Sequence, residues 1–449
     1  MDRPDPEAAL AGRRKPAVVT CRPRREGGWF AGAEGERLRI LRRAVELGAE
    51  FVDVEWDADA PDLVQSRGGR GVIVSRHDFS GTPPNPAQIL ADLRGRGAEI
   101  AKLAVAVTGA ADLTRLLGAS PADGSSILIG MGPAGLATRI LAGRFGSRWT
   151  YAGDAVAPGQ LPVSRLLQEF RFRRIRSDAA VYAVLGQPVT GSLSPAMHNA
   201  GFAALGLNAA YVPLELPDLQ GLRDFARTVD LRGASVTIPF KSAVLPLLDE
   251  VAPAAAPAGA VNTIAVQNGR WIGLNTDADG FLEPLRRRVP TLRGLRTVIL
   301  GAGGAARGVA FALRRDGAAV AIAARRRDAA AAVADAIGCA IAEWPARAGS
   351  WDLLVNATPV GSRAQAGTPY SGPFDGRLVY DLVYDPAPTE LMRAAAAQGC
   401  GVLGGMEMLV AQAERQFEIW TGQRPPSGLF AQAAETAQAN RLAPPRVSV

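Results

Sequence analysis

Short apolar runs alternate with helix-forming segments along the first third of the chain. The runs are rich in β-branched residues, and they occupy residues 17–23, 51–56, 71–79, 100–107, 126–132 and 149–154. Such alternation predicts consecutive βα units and a parallel sheet. Polar residues where the runs end are typical of a βα barrel, in which active sites gather at that face. We predict six strands here, whereas a closed barrel of this kind has eight.

A second series of βα units follows a basic, weakly apolar connector. The connector covers residues 164–177, which predicts a domain boundary near Ser177. The periodicity is interrupted again at residues 286–293, just before an apolar strand that ends in a glycine turn. The pattern therefore indicates an α/β protein with more than one core.

Composition narrows the class of protein. The 449 residues, of which 48% are hydrophobic, exceed what one core usually organises. Three cysteines without metal-ligand spacing argue against a disulfide framework or a metal site, and they fit a reducing cytoplasm. No apolar run is long enough to cross a bilayer, and the first residues lack a signal-peptide core.

The net charge of +7 could indicate a nucleic-acid partner. However, the arginines are spread along the chain with few aromatic residues between them, which disfavours nucleic acid and membranes. Guanidinium groups bind carboxylates and phosphates through two parallel hydrogen bonds. Small anionic molecules are therefore the expected partners.

The segment TVILGAGGAARG has the strand, glycine turn and helix of a dinucleotide site. Gly301 makes the tight turn, and Gly303 and Gly304 let backbone N–H groups approach a pyrophosphate at the helix N-terminus. The predicted phosphate-binding turn comprises Gly301, Ala302, Gly303, Gly304 and Ala305. A structural turn without a nucleotide is the alternative.

The end of the next strand distinguishes the two nicotinamide cofactors. An NAD site has an acidic residue there, whereas a 2′-phosphate favours arginine. Here Arg325 and Arg326 follow Ala324, which predicts NADP with these two residues as the phosphate clamp. A solvated basic turn is the alternative interpretation.

The chain from residue 185 onward resembles the shikimate dehydrogenases in the order of its motifs. These are SLSP (192–195), SVTIPFK (235–241), GAVNT (259–263), NTDADG (275–280), the glycine turn, NATPVG (356–361), VYDLVYDP (379–386) and GGMEMLVAQA (404–413). The resemblance implies that Lys241 and Asp277 are the catalytic pair. It further implies substrate contacts by Ser192, Ser194, Thr237, Asn262, Tyr384 and Gln412, and cofactor contacts by Asn356 and Thr358. Taken alone, Lys241 is an exposed lysine and Asp277 a helix cap.

The first third resembles the type I 3-dehydroquinate dehydratases through TCRPRREGG, VIVSRHDF, IAKLAVAV, MGPAGLATR and APGQL. A lysine inside an apolar strand is costly, and desolvation frees its amine to attack a ketone. The resemblance implies an imine at Lys102, proton transfer by His77 and orientation of His77 by Glu26. It also implies substrate contacts by Arg22, Arg139 and Gln160, with Met131 and Tyr151 lining the site. A snorkelling lysine and a capped loop histidine are the alternatives.

The dehydratase family opens with two further βα units that the residues before Ala17 do not supply, so we expect an incomplete barrel with weak dehydratase turnover. Together the resemblances imply a truncated TIM-type barrel over 1–163, a linker over 164–177, a substrate-binding domain over 178–288 completed by 404–449, and an NADP-binding Rossmann domain over 289–403. The expected function is dehydration of 3-dehydroquinate followed by reduction to shikimate. The alternatives are a dehydrogenase acting alone on shikimate or quinate, and a non-catalytic sensor or repressor built from the same domains.

Overall fold

The computed structural model describes residues 5–153, 157–253, 255–256 and 259–442. They divide into two compact units. The first contains the described residues up to 192 together with residues 208–231. The second contains residues 193–207 and the described residues from 232 to 442. The domain limits inferred from the sequence, including the boundary near Ser177, stay predictions.

The first unit contains a five-stranded parallel sheet whose strands are in chain order. Its strands are β1 (Val18–Thr20), β2 (Phe51–Glu55), β3 (Val72–Asp78), β4 (Ile100–Ala106) and β5 (Ser126–Met131). The accompanying helices are α1 (Pro6–Leu10), α2 (Glu34–Glu46), α3 (Pro61–Gln65), α4 (Pro86–Gly95), α5 (Ala110–Gly118), α6 (Leu136–Ile140) and α7 (Val163–Gln168). Sequential parallel strands joined through helices are the topology predicted for βα units.

The sixth predicted strand is wrong over its described residues, 149–153, which form no strand. On this side of β5 the backbone forms only an isolated bridge between Ser126 and Ser147. The backbone N–H of Gly153 donates instead to the carbonyl of Leu161, 2.8 Å away, so the chain turns back on itself. Residue 154 lies outside the described residues.

One face of this sheet combines apolar and polar side chains. Strand register pairs Asp53 with Ile73, and Ser75 with Lys102. Because alternate residues of a strand point to the same face, Lys102 shares the face of the apolar residues at the start of β4 and β5. That face carries the buried cluster of Ile73, Ile100, Ala104, Ile127, Ile129 and Met131.

The predicted linker is partly helical. It contains most of α7 and a 3₁₀ turn at Phe172–Arg174. Strand β6 (Ala180–Gly186) follows, the chain then passes through α8 (Ser194–Ala204) of the second unit, and it returns with β7 (Ala209–Glu215), parallel to β6, and α9 (Leu222–Val229).

The second unit contains a mixed group of strands and a parallel sheet. The mixed group comprises β8 (Leu231–Val236), β9 (Glu250–Val251), β10 (Thr263–Gln267) and β11 (Arg270–Leu274), with α10 (Phe240–Ala243), a 3₁₀ turn at Leu245–Leu247 and α11 (Asp277–Arg288). Strand β10 is antiparallel to β8 and β11, and β9 is parallel to β11. Short connections therefore bring the residues after β8 and β11 close together.

The parallel sheet has six strands in the order β14-β13-β12-β15-β16-β17. Its elements are β12 (Arg296–Leu300), α12 (Gly304–Arg315), β13 (Ala319–Ala323), α13 (Arg327–Ile337), β14 (Ala340–Ile341), β15 (Leu353–Asn356), β16 (Leu378–Asp381), α14 (Glu390–Ala397) and β17 (Gly401–Gly404), followed by α15 (Gly405–Thr421) and α16 (Leu429–Leu442). This is the strand order of a Rossmann fold, which binds ligands where the order reverses, here between β12 and β15. The predicted Rossmann domain is confirmed.

Among the described helices, none combines the length and apolar character that crossing a membrane requires.

Candidate active sites

Lys102 lies on β4 and is 6% exposed. Its Nζ donates to Oδ2 of Asp53 at 2.9 Å and lies 4.5 Å from the centroid of the Tyr151 ring. Burial lowers the pKa of Lys102, although the nearby carboxylate of Asp53 opposes the shift. The side chain is therefore a desolvated amine suited to attack a carbonyl carbon.

His77 lies at the end of β3, beside the turn that follows β1. Its Nδ1 is 2.9 Å from Oε2 of Glu26, and the same oxygen accepts the backbone N–H of His77 at 2.8 Å. Gly27 follows Glu26 with a φ of +79°, a left-handed conformation that glycine adopts at little cost. Burial lowers the pKa of His77, so the imidazole is neutral at neutral pH and can accept a proton.

Two carboxylates on β2 that the sequence motifs did not single out organise this site. Asp53 is fully buried and accepts from Arg22 at 2.8 Å as well as from Lys102, and Glu55 accepts from Arg22 at 2.9 Å. Burial opposes the charge of Asp53, but Lys102 and Arg22 hold its pKa below the usual value. The sequence signal was the spacing of two acidic residues at alternate positions of an otherwise apolar strand.

Arg139 and Gln160 come together through a turn. Arg139 is 3% exposed, and its Nη2 donates to the carbonyl of Pro158 at 3.1 Å, while Gln160 accepts the N–H of Ala157 in the same turn. Burial lowers the pKa of Arg139 to about 10. Among the described residues its Nε has no hydrogen-bond partner and its guanidinium pairs with no carboxylate. A buried cation in this state suits an anionic ligand.

Four of the residues predicted for the dehydrogenase half lie together in the second unit. Lys241, in α10, donates to Oδ2 of Asp277, the first residue of α11, at 2.5 Å. Asn262 donates to the other oxygen of Asp277 at 2.8 Å and to Oε1 of Gln412 at 3.2 Å. The side chain of Lys241 is 27% exposed, so its ammonium can reach a bound molecule while Asp277 holds it.

The other predicted substrate residues are more dispersed. Ser194 is the buried first residue of α8, and Ser192 belongs to the first unit. Thr237 accepts the N–H of Phe240 at 2.8 Å, in the turn before Lys241. The carbonyl of Tyr384 accepts from Gln438 at 3.4 Å, and burial raises the pKa of its hydroxyl.

Gln416 is a residue of this region that the motifs missed. Its Oε1 accepts from Ser235 at 2.7 Å, and its Nε2 donates to Thr263 at 3.0 Å. It lies one helical turn after Gln412 on α15, a spacing that could have indicated a shared face.

A cavity of about 750 Å³ opens beside the ends of β12 and β13. The predicted residues that line it are Gly301, Ala302, Gly303, Arg325, Arg326 and Thr358. A Cβ at Gly303 would point into open space, and α12 begins at the next residue without a side-chain cap. The cradle therefore fits a pyrophosphate at a helix N-terminus, with two arginines available for a 2′-phosphate.

The remaining predicted cofactor residues lie around this cavity. Gly304 and Ala305 form the first turn of α12. Asn356 is fully buried behind the wall, where its Oδ1 accepts from the backbone and the hydroxyl of Thr358. Trp344, which the motifs did not indicate, also lines the cavity, in the segment after β14.

Lysine is rare in this chain. Lys15, Lys102 and Lys241 are its only lysines, although lysine and arginine together number 50. Two of the three are thus paired with carboxylates in the clusters described above. Because arginine is not deprotonated in proteins, lysine is the side chain that supplies a titratable amine.

These clusters define a two-part enzyme: a parallel βα domain with a desolvated lysine, and a dehydrogenase with a nicotinamide-nucleotide fold. The chain matches the families described as type I 3-dehydroquinase (residues 2–177), shikimate dehydrogenase substrate binding domain (184–264) and shikimate 5'-dehydrogenase C-terminal domain (405–435). It is 36% identical to the chloroplastic bifunctional 3-dehydroquinate dehydratase/shikimate dehydrogenase of Arabidopsis thaliana, over 92% of this chain and 74% of that protein. The chain therefore belongs to the bifunctional 3-dehydroquinate dehydratase/shikimate dehydrogenase family.

The dehydrogenase half is also similar to single-function shikimate and quinate dehydrogenases. The shikimate dehydrogenase (NADP(+)) of Carboxydothermus hydrogenoformans is 37% identical over 56% of this chain and 95% of its own length. The shikimate 5-dehydrogenase of Thermus thermophilus, solved with NADP(H) and shikimate, is 41% identical with a TM-score of 0.53 and covers 57% of this chain and 99% of its own. A quinate dehydrogenase from Corynebacterium glutamicum in complex with NAD is 34% identical, with a TM-score of 0.52, over 58% of this chain and 99% of its own.

Proposed function

We propose that this chain dehydrates 3-dehydroquinate to 3-dehydroshikimate and then reduces that product to shikimate with NADPH. The observation that carries the proposal is the position of its lysines. Lys102 is buried and paired with Asp53 in the βα domain, and Lys241 is paired with Asp277 in the dehydrogenase half. Each is the type of group that its half-reaction requires.

In the dehydratase reaction, the neutral amine of Lys102 attacks the ketone carbon, and loss of water gives an imine. The imine withdraws electrons, so His77 can remove a proton from the adjacent carbon. The β-hydroxyl then leaves as water after receiving that proton from His77, and hydrolysis of the imine releases the product and the amine. Glu26 holds the imidazole, and the guanidinium of Arg139 suits the substrate carboxylate.

In the dehydrogenase reaction, NADPH supplies the hydride that reduces the ketone. The ammonium of Lys241 polarises the carbonyl and donates a proton to the oxygen as its negative charge develops. Asp277 holds that ammonium in place, and Asn262 holds Asp277 from the opposite side. Ser192 and Ser194 are assigned to the substrate carboxylate by resemblance.

NADP is the cofactor of this family, and Arg325 and Arg326 beside the cavity are suited to its 2′-phosphate. The partners are small molecules of the shikimate pathway. We also propose a cytoplasmic location, which the three unpaired cysteines, Cys21, Cys339 and Cys400, support because such thiols persist in reducing compartments.

The experiment is NADPH oxidation by the full chain, started with either 3-dehydroquinate or 3-dehydroshikimate. Lys102→Ala should abolish oxidation with 3-dehydroquinate and leave the rate with 3-dehydroshikimate unchanged. Lys241→Ala should reduce both rates by about 10²-fold or more, the scale of losing a positioned acid–base group. Lys15→Ala is the matched control and should leave both rates unchanged.

The same assay separates the alternatives. If NADPH is oxidised with 3-dehydroshikimate but not with 3-dehydroquinate, the chain is a dehydrogenase whose barrel is inactive. Faster NAD(P) reduction by quinate than by shikimate would indicate a quinate dehydrogenase. Binding of both substrates without turnover would indicate a sensor and would overturn the proposal.

A further inference from the structure

Arg37 is a buried charged residue to which the reactions above give no role. It lies on α2 with a fully buried side chain, and it donates to Glu55 and to both carboxylate oxygens of Glu34. Its Nη1 also donates to the carbonyl of Cys21, one residue before Arg22. A buried guanidinium is costly unless it is well paired, so its presence requires a reason.

Arg37 belongs to a row of alternating charges that leads to Lys102. Glu55 pairs with Arg37 through one oxygen and with Arg22 through the other, the latter at 2.9 Å. Arg22 pairs with Asp53 at 2.8 Å, and the same Asp53 oxygen accepts from Lys102 at 2.9 Å. The row crosses four elements: α2, β2, the segment after β1, and β4.

The contacts of Arg22 show what the row restrains. Its Nη1 donates to Ser75 at 2.8 Å as well as to Glu55, and lies 3.3 Å from Nδ1 of His77. Its guanidinium thus lies between the imidazole and the carboxylate that holds Lys102. A shift of Arg22 would change the surroundings of both groups.

We propose that Arg37 is a positioning residue that anchors Glu55 and, through Glu55, fixes the guanidinium of Arg22 beside Lys102 and His77. The inference rests on the proposed dehydratase function and on the assignment of Arg22 to substrate binding. Arg37 itself contacts no substrate. Its effect is on the affinity of the site.

The anchor should depend on pH. Burial raises the pKa of Glu55 to about 7, with Arg22 and Arg37 opposing the shift and Asp53, on the same strand, adding to it. Glu55 is ionised above this value, so the hold on Arg22 is complete near pH 8 and is lost as the pH falls below 7. The concentration of 3-dehydroquinate that half-saturates the site should rise over the same interval.

The test measures this half-saturating concentration between pH 6 and pH 8.5. The Lys102 imine is trapped with borohydride, and the adduct is quantified from the mass of the protein by mass spectrometry. Because only the concentration dependence is compared, the pH dependence of the reduction cancels. Arg37→Gln should raise the half-saturating concentration at pH 8 by about tenfold, the scale of one charge-assisted hydrogen bond. Arg37→Lys should restore part of the affinity, and Glu55→Gln should make the affinity low at every pH.

Arg42→Gln is the matched control, because Arg42 lies on the same helix and pairs with Asp62 at the surface. It should leave the half-saturating concentration unchanged. Maximal trapping should be equal in all variants, since Lys102 is retained.

The outcomes separate the two proposals. Absence of any Lys102 adduct in the wild type would overturn the dehydratase function, and the role of Arg37 with it. Adduct formation with the same half-saturating concentration in Arg37→Gln would overturn the role of Arg37 alone. If that variant fails to fold, the unmodified protein decides, because a half-saturating concentration that does not change with pH also overturns the proposal.

Discussion

Two buried arginines of the βα domain should respond in opposite directions to the same substitution. Arg37 pairs with Glu34 and Glu55, whereas Arg139 pairs with no carboxylate among the described residues. We predict that Arg139→Met stabilises this part of the protein and that Arg37→Met destabilises it. The comparison distinguishes a charge retained for a ligand from a charge built into the fold.

The magnitude follows from the surroundings of each group. Burial lowers the pKa of Arg139 to about 10, so below pH 10 its charge disfavours the folded state by about 3 kcal/mol. Methionine loses the hydrogen bond to Pro158, which offsets about 1 kcal/mol. The net gain of about 2 kcal/mol corresponds to roughly 4–8 °C for a domain of this size. Arg37→Met leaves Glu55 with one partner fewer and should cost about 3–5 kcal/mol.

Calorimetry of the full chain at pH 7.5 without substrate measures both changes. Shikimate and NADPH should move the dehydrogenase transition alone, which identifies the transition of the βα domain. Imine trapping should show that Arg139→Met raises the half-saturating concentration of 3-dehydroquinate by about tenfold or more, the scale of a lost charge-assisted contact. A lower unfolding temperature for Arg139→Met would refute the argument, because Arg139 would then be structural.

Three further results are expected from the dehydrogenase half. Turnover should fall by about 10²-fold or more in Lys241→Met, in Asp277→Asn and in the double variant, with NADPH affinity unchanged. Because the pair acts as a unit, the double variant should lose no more turnover than the worse single variant. Additive losses would contradict this. Replacing Arg325 and Arg326 by alanine should raise the KM for NADP and leave the KM for NAD nearly unchanged. An equal rise in both KM values would contradict the assignment of these arginines to the 2′-phosphate. Trp344→Leu should weaken NADPH binding and reduce energy transfer from tryptophan to the bound nicotinamide, and unchanged transfer would separate Trp344 from the cofactor.

The fold of the dehydrogenase half could be predicted well because each of its motifs is a short, continuous stretch of sequence. The glycine turn lies between a strand and a helix, so Gly301 and Gly303 could be assigned to the cavity from their neighbours alone. Lys241 and Asp277 lie in separate motifs, and only the folded chain brings them within 2.5 Å. Asn356 stays a predicted cofactor residue; it is fully buried, and its Oδ1 accepts from the backbone and the hydroxyl of Thr358. A motif does not reveal which of its residues faces the ligand.

The charge row of the βα domain could not be read from motifs. Asp53 and Glu55 meet Arg22 and Lys102 through the register of four strands, and register is a long-range property. Arg37 lies on a helix whose sequence reads as an ordinary amphipathic one. The strand expected from residue 149 is absent over the described residues 149–153, because Gly153 closes a local turn with Leu161.

The three lysines also form a graded set of chemical reporters. Lys15 is exposed, Lys241 is partly exposed and Lys102 is nearly inaccessible. An amine-selective acylating reagent should therefore label them in that order, and labelling of Lys102 should wait for the βα domain to open. Its rate, set against the intrinsic reactivity of a free lysine, would give the free energy of that local opening. The scarcity of lysine thus lets footprinting follow the opening of one domain in the intact chain without any introduced label.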